Sequence, residues 1–507
     1  MSGIAVRSDH LGPTRWSSLI CLFLLSFAVV PLAGCPKDPY AAGTWIDDLD
    51  DPSKAERAVT ELQRLKDPAA IGPLSTLWRK RSKSQRVLRV IIEIAGAPAS
   101  GEGCTKDKES GKSVCQPQWA KAMPVLFEAI DEFDESDDRS VDNAVTAADA
   151  LGKAGDPSAV EALIKVVNKN MVGLSKGQRV RLAAIKALGN LGTDSRAVDT
   201  LIKVLDEGEI LQGKMAAAKG QKKELAALQR EFGGKLPIFG ATINALAESR
   251  NAKALPALLS ALYTLSPAYQ QVRRALVSVG QPAVPELIKI IRGEQPEMKA
   301  LAKKYKFNID CGPDNMGPDS TCQAPSNLEF KAASILGDLY AREASKDLAD
   351  GLKKPPVPAF FDGDVPGPSQ HTAFIDALKK IGDPGTAAAM AEYWQNDKVD
   401  PFTYPRPMAV DAYSFLTRDT GGLPAMAKVF STDGQDDQLR LATALAYGRL
   451  VRDGKDLDPL SAMVKRYKEA ADKQDEKAKP AKVKLDEAKK ILDAAKKSVS
   501  AAGGKSA

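Results

Sequence analysis

Histidine is almost missing from this chain. Of 507 residues only His10 and His371 are histidine. That scarcity excludes histidine-cluster metal sites, and a Ser-His-Asp arrangement would have to be built on His371. His371 falls at an expected helix start beside a Pro/Gly loop, where an exposed or capping role is ordinary. A surplus of one charge is missing too. Lysine and arginine number 71 against 65 acids, a net +6, which is mild for this length and leaves no footprint for nucleic acid. No apolar run is long enough to span a bilayer comfortably. No Gly-rich loop follows a strand to cradle phosphate, and no stretch alternates convincingly as a strand. Acids do cluster, at Asp131, Glu132, Asp134, Glu135, Asp137 and Asp138, and again at Asp433, Asp436 and Asp437. Neither group carries the central glycine and terminal glutamate of a calcium loop, and both read as helix-start acids. Asp362-Gly363-Asp364 is equally incomplete. The sequence thus offers no catalytic set, no metal ligands and no cofactor site.

What is present begins at the N-terminus. Arg7 and Arg15 precede an apolar run from Leu19 to Val30 that ends in Leu32-Ala33-Gly34-Cys35. A run this short after positive charge reads as a secretory leader. The four residues at its end resemble the bacterial lipobox. That resemblance implies a diacylglycerol on the Cys35 thiol, cleavage before it, loss of residues 1–34 and a short lipidated tether over 35–44. Several acyl chains on one residue anchor stably, since each buried methylene contributes about 0.8 kcal/mol. The protein is expected to stay membrane-tethered outside the cytoplasm. Pro36 follows the cysteine, where an aspartate favours inner-membrane retention, so the outer membrane is favoured. The alternative is an ordinary secretory cleavage site followed by an unrelated cysteine.

With Cys21 in the leader and Cys35 lipidated, four cysteines remain as two pairs, Cys104/Cys115 and Cys311/Cys322, each with ten intervening residues. An exported chain meets oxidising conditions, so each pair is expected to close a local disulfide loop. A loop this small gains roughly 3 kcal/mol in the chain-entropy view. A single four-thiolate metal site is the competing reading, and the close Cys-x2-4-Cys spacing of such sites is absent.

Self-similarity is the strongest internal signal. Ala150-Leu151-Gly152 recurs as Ala187-Leu188-Gly189. Leu163-Ile164-Lys165-Val166-Val167 recurs as Leu201-Ile202-Lys203-Val204-Leu205 and Leu287-Ile288-Lys289-Ile290-Ile291. Ala150-Leu151 with Gly155-Asp156-Pro157 returns as Ala377-Leu378 with Gly382-Asp383-Pro384. The unit predicts a helix with Val145, Ala148, Leu151 and Ala154 on its apolar side, ended by a left-handed Gly155. Asp156 then caps a second helix, Pro157 fits its first turn, and Ala159, Val160, Leu163, Ile164 and Val167 form its buried stripe. Small residues on the first helix allow the pair to approach closely. Neither helix can bury its face alone, so pairs must stack.

The pattern at 150–163 resembles the HEAT-repeat family, including its lyase-associated variety. It returns at 187–201 and more loosely at 245–258 and 275–287. Weaker copies are expected at 53–80, 85–130, 328–353, 372–396, 408–430 and 438–468. The resemblance implies an all-α solenoid of roughly ten stacked antiparallel helix pairs over 45–470, interrupted by the cysteine loops. Segments 98–117, 206–235, 293–326 and 354–370 break the rhythm as insertions, the second holding a polar helix from Gly213 to Phe232 ended by Gly233-Gly234. The Lys/Ala-rich tail, 471–507, spaces Leu485, Ala488, Leu492, Ala495 and Val499 as a helix seam that either caps the last repeat, pairs with a partner helix or frays in solvent.

Functionally, these features point to a scaffold that binds envelope protein partners. A surface of second helices would carry Lys165, Lys203 and Lys289 in register. An envelope structural protein touching peptidoglycan or membrane through its basic tail is the alternative. The lyase-like relatives imply a third reading, an enzyme handling a tetrapyrrole, for which no residue here speaks.

Overall fold

A computed structural model describes residues 38–98, 104–106, 113–115, 117–169, 176–218, 220–294, 300, 325–358, 361–362, 365–396, 405–432, 435–473 and 478–502. Cys35, Cys311 and Cys322 lie outside these residues, as do Asp433 and Asp364. The described helices are α1 Ala42–Asp47, α2 Ala55–Leu65, α3 Ile71–Lys80, α4 Gln85–Gly96, α5 Trp119–Asp131, α6 Asp138–Ala154, α7 Val160–Asn168, α8 Gly177–Asn190, α9 Ser195–Ala217, α10 Lys222–Ser249, α11 Ala254–Thr264, α12 Tyr269–Val279, α13 Val284–Arg292, α14 Pro325–Asp338, α15 Ser345–Gly351, α16 Gln370–Ile381, α17 Ala387–Gln395, α18 Pro405–Leu416, α19 Leu423–Ser431, α20 Asp437–Leu450, α21 Asp458–Ala471 and α22 Ala478–Ala501. From α2 to α21 they form ten consecutive pairs, and a helix pair stands at every repeat copy read from the sequence.

Each even-numbered helix packs on the next even-numbered one, from α2 through to α22. Odd-numbered helices form the second layer and pack likewise from α3 to α11, α13 to α15 and α19 to α21. The core is one strip between the layers, built from residues such as Leu62, Ile91, Leu151, Leu188, Leu246, Leu276, Leu336, Leu378 and Val410, all fully buried.

The local rules of the repeat are visible at its corner. Gly155 takes φ +67° and Gly382 φ +71°, a region glycine enters without Cβ strain. The carboxylates of Asp156 and Asp383 then accept from the backbone N–H two residues on, at 2.9 and 3.1 Å. The prolines open a short 3-10 turn, Pro157–Ala159 and Pro384–Thr386, and the α-helix starts only after it. Asp67 and Pro68 build the same corner with Lys66 in the left-handed position instead of glycine.

The small residues act between repeats, not within a pair as the sequence reading had it. A Cβ added at Gly152 would lie 2.7 Å from the Ala187 Cα, at Gly189 2.7 Å from that of Ala245, and at Gly337 2.8 Å from that of Ala377. Each of these glycines, in Ala-Leu-Gly at Gly152 and Gly189 and in Ile-Leu-Gly at Gly337, seats the alanine of the next first helix against bare backbone.

Two expectations change, and the alternatives for the tail are decided. The 206–235 segment is not a separate helix ended by Gly233-Gly234: α9 runs on to Ala217, α10 starts at Lys222, and both glycines lie inside α10. Burial of Phe232, Ile238 and Phe239 along α10 outweighs the poor helix propensity of the two glycines. Strands do occur, as two small hairpins inside insertions: Cys104–Lys106 with Ser113–Cys115, and Phe361–Asp362 with Val365–Pro366. They are too short for alternation to register in sequence. The tail forms α22, which packs on α20 and α21 as an eleventh even-layer helix.

Candidate protein-binding surfaces

His371 is neither exposed nor a cap. It is fully buried in α16, its Nδ1 3.0 Å from the Tyr393 hydroxyl on α17 and its ring 5.4 Å edge-on from that of Tyr393. The neighbouring Gln370 is tied back to the segment before the helix: its side-chain oxygen accepts from the Val357 N–H at 2.8 Å and its amide nitrogen donates to the Pro355 carbonyl at 3.0 Å. Sequence alone could not show the burial of His371 against Tyr393.

Of the acids near 131–138, Asp131 and Glu132 stand at the C-terminal end of α5, contrary to the helix-start reading, while Asp134 and Asp137 serve the approach to α6. Asp137 accepts from the N–H groups of Arg139 and Ser140, and Asp134 holds Ser136. Asp436 caps α20 through the Leu439 N–H at 2.9 Å. Among the described residues no group of three His, Cys, Asp or Glu is placed to hold a metal ion.

Lys165, Lys203 and Lys289 occupy one position in α7, α9 and α13, and all three are exposed. They are not an unbroken row, because α11 places Ser260 at that position. Lys289 is also engaged by Glu286 on its own helix at 2.8 Å. The same position is Glu128 in α5, Asp350 in α15, Glu392 in α17, Lys428 in α19 and Lys465 in α21. The ridge therefore changes sign along the solenoid, with adjacent basic pairs on α7 and α9 and again on α19 and α21.

The even layer carries a ladder of ion pairs between neighbouring helices. Asp142 meets Arg179 at 2.8 Å, and Asp338 holds Arg273 at 2.6 Å and Lys380 at 3.0 Å. Asp411 on α18 holds Lys379 of α16 at 2.6 Å and Arg449 of α20. Asp437 at the start of α20 binds Arg440 at 2.8 Å, Lys484 of α22 and the Tyr467 hydroxyl. Burial raises the Asp411 and Asp437 carboxyls, but their hydrogen-bonded cations outweigh it, and both end below the usual carboxylate range.

Between these last nodes the surface is apolar. A groove of about 830 Å³ runs between α18, α20 and α22 and is lined by Met408, Leu441, Leu445, Val483 and Ile491 among others. Met408 and Leu445 are each 37% exposed and Val483 67%, while Phe415 continues the α18 stripe at 57%. Lys379 and Arg449 lie over the Phe415 ring, 4.7 and 4.3 Å from its centre. The sequence reading missed this site. Its available signal was α20 itself, where Leu439, Leu441, Ala442, Ala444, Leu445, Ala446 and Tyr447 put apolar residues on every side of the helix.

Of the cysteines, Cys104 and Cys115 stand directly opposite each other in the register of the first hairpin.

Residues 123–219 match the family model described as HEAT repeats. No curated protein sequence matches the chain. Among solved structures, human deoxyhypusine hydroxylase in complex with glycerol is similar at 14% identity over 73% of this chain and 98% of that one, with a TM-score of 0.21. Kap95p from its structure with RanGDP is similar at 13% identity over 90% of this chain and 58% of that one, TM-score 0.32. Importin beta is similar at 12% identity over 90% and 60%, TM-score 0.34.

Proposed function

We propose that this HEAT-repeat protein works as a membrane-anchored, extracytoplasmic scaffold that holds protein partners along its helix faces. One observation carries the scaffold reading: ten stacked pairs present continuous helix faces, and one of those faces leaves a contiguous set of large apolar side chains open. Stacked repeats are suited to extended binding surfaces, and grouped exposed apolar residues mark interaction sites. The tail reading is less well supported, because the apolar seam of α22 is turned into the solenoid and Asp486, Glu487 and Asp493 are interspersed with its lysines.

The anchor rests on the sequence through Cys35 alone. Among the described residues no helix is long and apolar enough to cross a membrane. The outer membrane is the favoured location, from Pro36. Disulfides Cys104–Cys115 and Cys311–Cys322 belong to the same reading and rest on the sequence spacing; the first pair occupies facing backbone positions in its hairpin.

Two measurements test it together. Cys35→Ser should abolish labelling by radioactive palmitate and release the protein from membranes; persistent labelling would remove the anchor. Crosslinking in intact envelopes should recover defined proteins, and substituting Lys165 and Lys203 by glutamate should weaken those bound at the α7–α9 ridge without changing melting. Recovery of no specific protein from wild-type envelopes would end the scaffold reading.

A further inference from the structure

Three even-layer helices at the C-terminal end share an open apolar surface, and its borders carry charge of one net sign. Met408 and Phe415 lie on one stripe of α18 at a spacing of two turns, and Leu441 and Leu445 lie one turn apart on α20, with Arg449 a turn further. Val483 and Ile491 supply the α22 wall. The groove follows the helix axes, the form into which an amphipathic helix lays its apolar face.

The charges set the polarity of the guest. Asp411 is shared by two cations, Lys379 and Arg449. Asp437 is shared by two more, Arg440 and Lys484. Each node therefore keeps one positive charge beyond what its carboxylate balances, and Glu487 and Lys490, which also line the groove, offset each other. Lys379, Arg449 and Lys484 keep roughly a third of their side-chain surface open, so that charge is available at the surface. A guest carboxylate arriving at either node would complete a two-acid, two-base cluster, whereas a guest lysine would meet repulsion.

On the scaffold reading, we propose that this groove receives a partner helix whose leucine-type stripe is bordered by aspartate and glutamate. The apolar stripe fills the floor over Met408, Leu441, Leu445 and Val483. The acids reach the Asp411 and Asp437 nodes at its borders. Phe415, held under two cations, closes the end beside Asp411.

The test uses the full chain and three synthetic helical peptides. One carries leucines at helical spacing flanked by glutamate, one has lysine in place of each glutamate, and one has serine in place of each leucine. Fluorescence anisotropy should show the glutamate peptide binding at least about tenfold more tightly than either control. That preference should shrink with salt. Leu445→Glu and Met408→Glu, both at half-open positions, should each weaken binding by about tenfold or more with unchanged melting. Equal binding of the glutamate and lysine peptides, or indifference to Leu445→Glu, would overturn the proposal. So would a concentration-dependent dimer of the chain that Leu445→Glu abolishes, since a second copy would then be the occupant. Envelope crosslinking with Leu445→Glu separates this proposal from the broader one. Partners recovered unchanged would remove the groove and leave the scaffold, while failure of the wild-type chain to recover any would remove both.

Discussion

Gly189 and Gly233 are the same residue in opposite situations. A Cβ at Gly189 would meet the Ala245 Cα at 2.7 Å and its carbonyl oxygen at 3.0 Å, whereas one at Gly233 would meet nothing within 4 Å. Both sit inside helices, where alanine is favoured over glycine by about 1 kcal/mol. Gly233→Ala should therefore stabilise by up to roughly that amount. Gly189→Ala should destabilise by about 1–3 kcal/mol, because backbone cannot step aside as a flexible side chain can. Urea melts of the two variants check this, and shifts of the same sign would refute the close-packing account. Residue-scale reading of the sequence succeeded where chemistry is local. Gly-Asp-Pro announces its corner because glycine, a short carboxylate and proline each do one job there. It missed the same corner at Lys66, since lysine gives no sign of a left-handed φ. It also gave His371 an exposed or capping role, because its burial against Tyr393 of the next helix is not visible in the residues beside it.

At the scale of elements, α22 shows how a seam can be read and its partner missed. Leu485, Ala488, Ala495 and Val499 are buried as their spacing predicts, but Ile491 is more deeply buried than Leu492, so the face is turned slightly from the expected one. Nothing in the tail says that the seam meets Gly448 of α20, where an added Cβ would stand 3.3 Å from the Ala495 Cβ. The outer face, with Lys482, Asp486, Lys489, Asp493 and Lys496 exposed, is what a terminal repeat needs to stay soluble. Ala488→Asp would set an unpaired carboxylate in that seam. We expect it to detach α22, raise hydrogen exchange in α20 and α21, and promote self-association, while exchange in α2 to α8 stays at its wild-type level. Unchanged exchange in α20 would mean that α22 does not cap the solenoid. The apolar groove was illegible for a related reason. Which face of α20 stays open depends on where α18 and α22 lie, and periodicity within one helix does not carry that information.

Over the whole molecule, coupling runs only between neighbours, so the polar links at each junction decide how far a disturbance spreads. The junction flanking residues 295–324 is fastened by several. Arg273 joins α12 to Asp338 of α14, Arg292 joins α13 to Asp347 of α15, and Lys354 donates to the Ile291 carbonyl at 2.7 Å. Lys331 of α14 is the buried one. Its ammonium donates to the Leu262 carbonyl at the end of α11 at 2.9 Å and to the Ser266 hydroxyl at 3.0 Å, and it lies 5.5 Å from the centre of the Tyr269 ring. A cation suits a helix C-terminus, yet burial pushes this one down from its ordinary 10.5 to about 8. The sign of the consequence follows from proton binding. Below pH 8 folded and unfolded chains both hold the proton, and the folded chain carries the whole penalty of a buried charge. Between pH 8 and 10.5 the unfolded chain alone keeps it, so this lysine's contribution to stability rises with pH. Relative to Lys331→Met, the wild type should gain on the order of 1–3 kcal/mol from pH about 8 to 10. Urea melts at stepped pH measure the difference, which also cancels tyrosine titration common to both chains. Because neighbours alone are coupled, the exchange changes that accompany it should stay within α11 to α15 and leave both ends of the solenoid as they were. Parallel pH curves would mean that Lys331 holds no buried charge, and changes reaching α2 or α22 would mean that the solenoid unfolds as one unit.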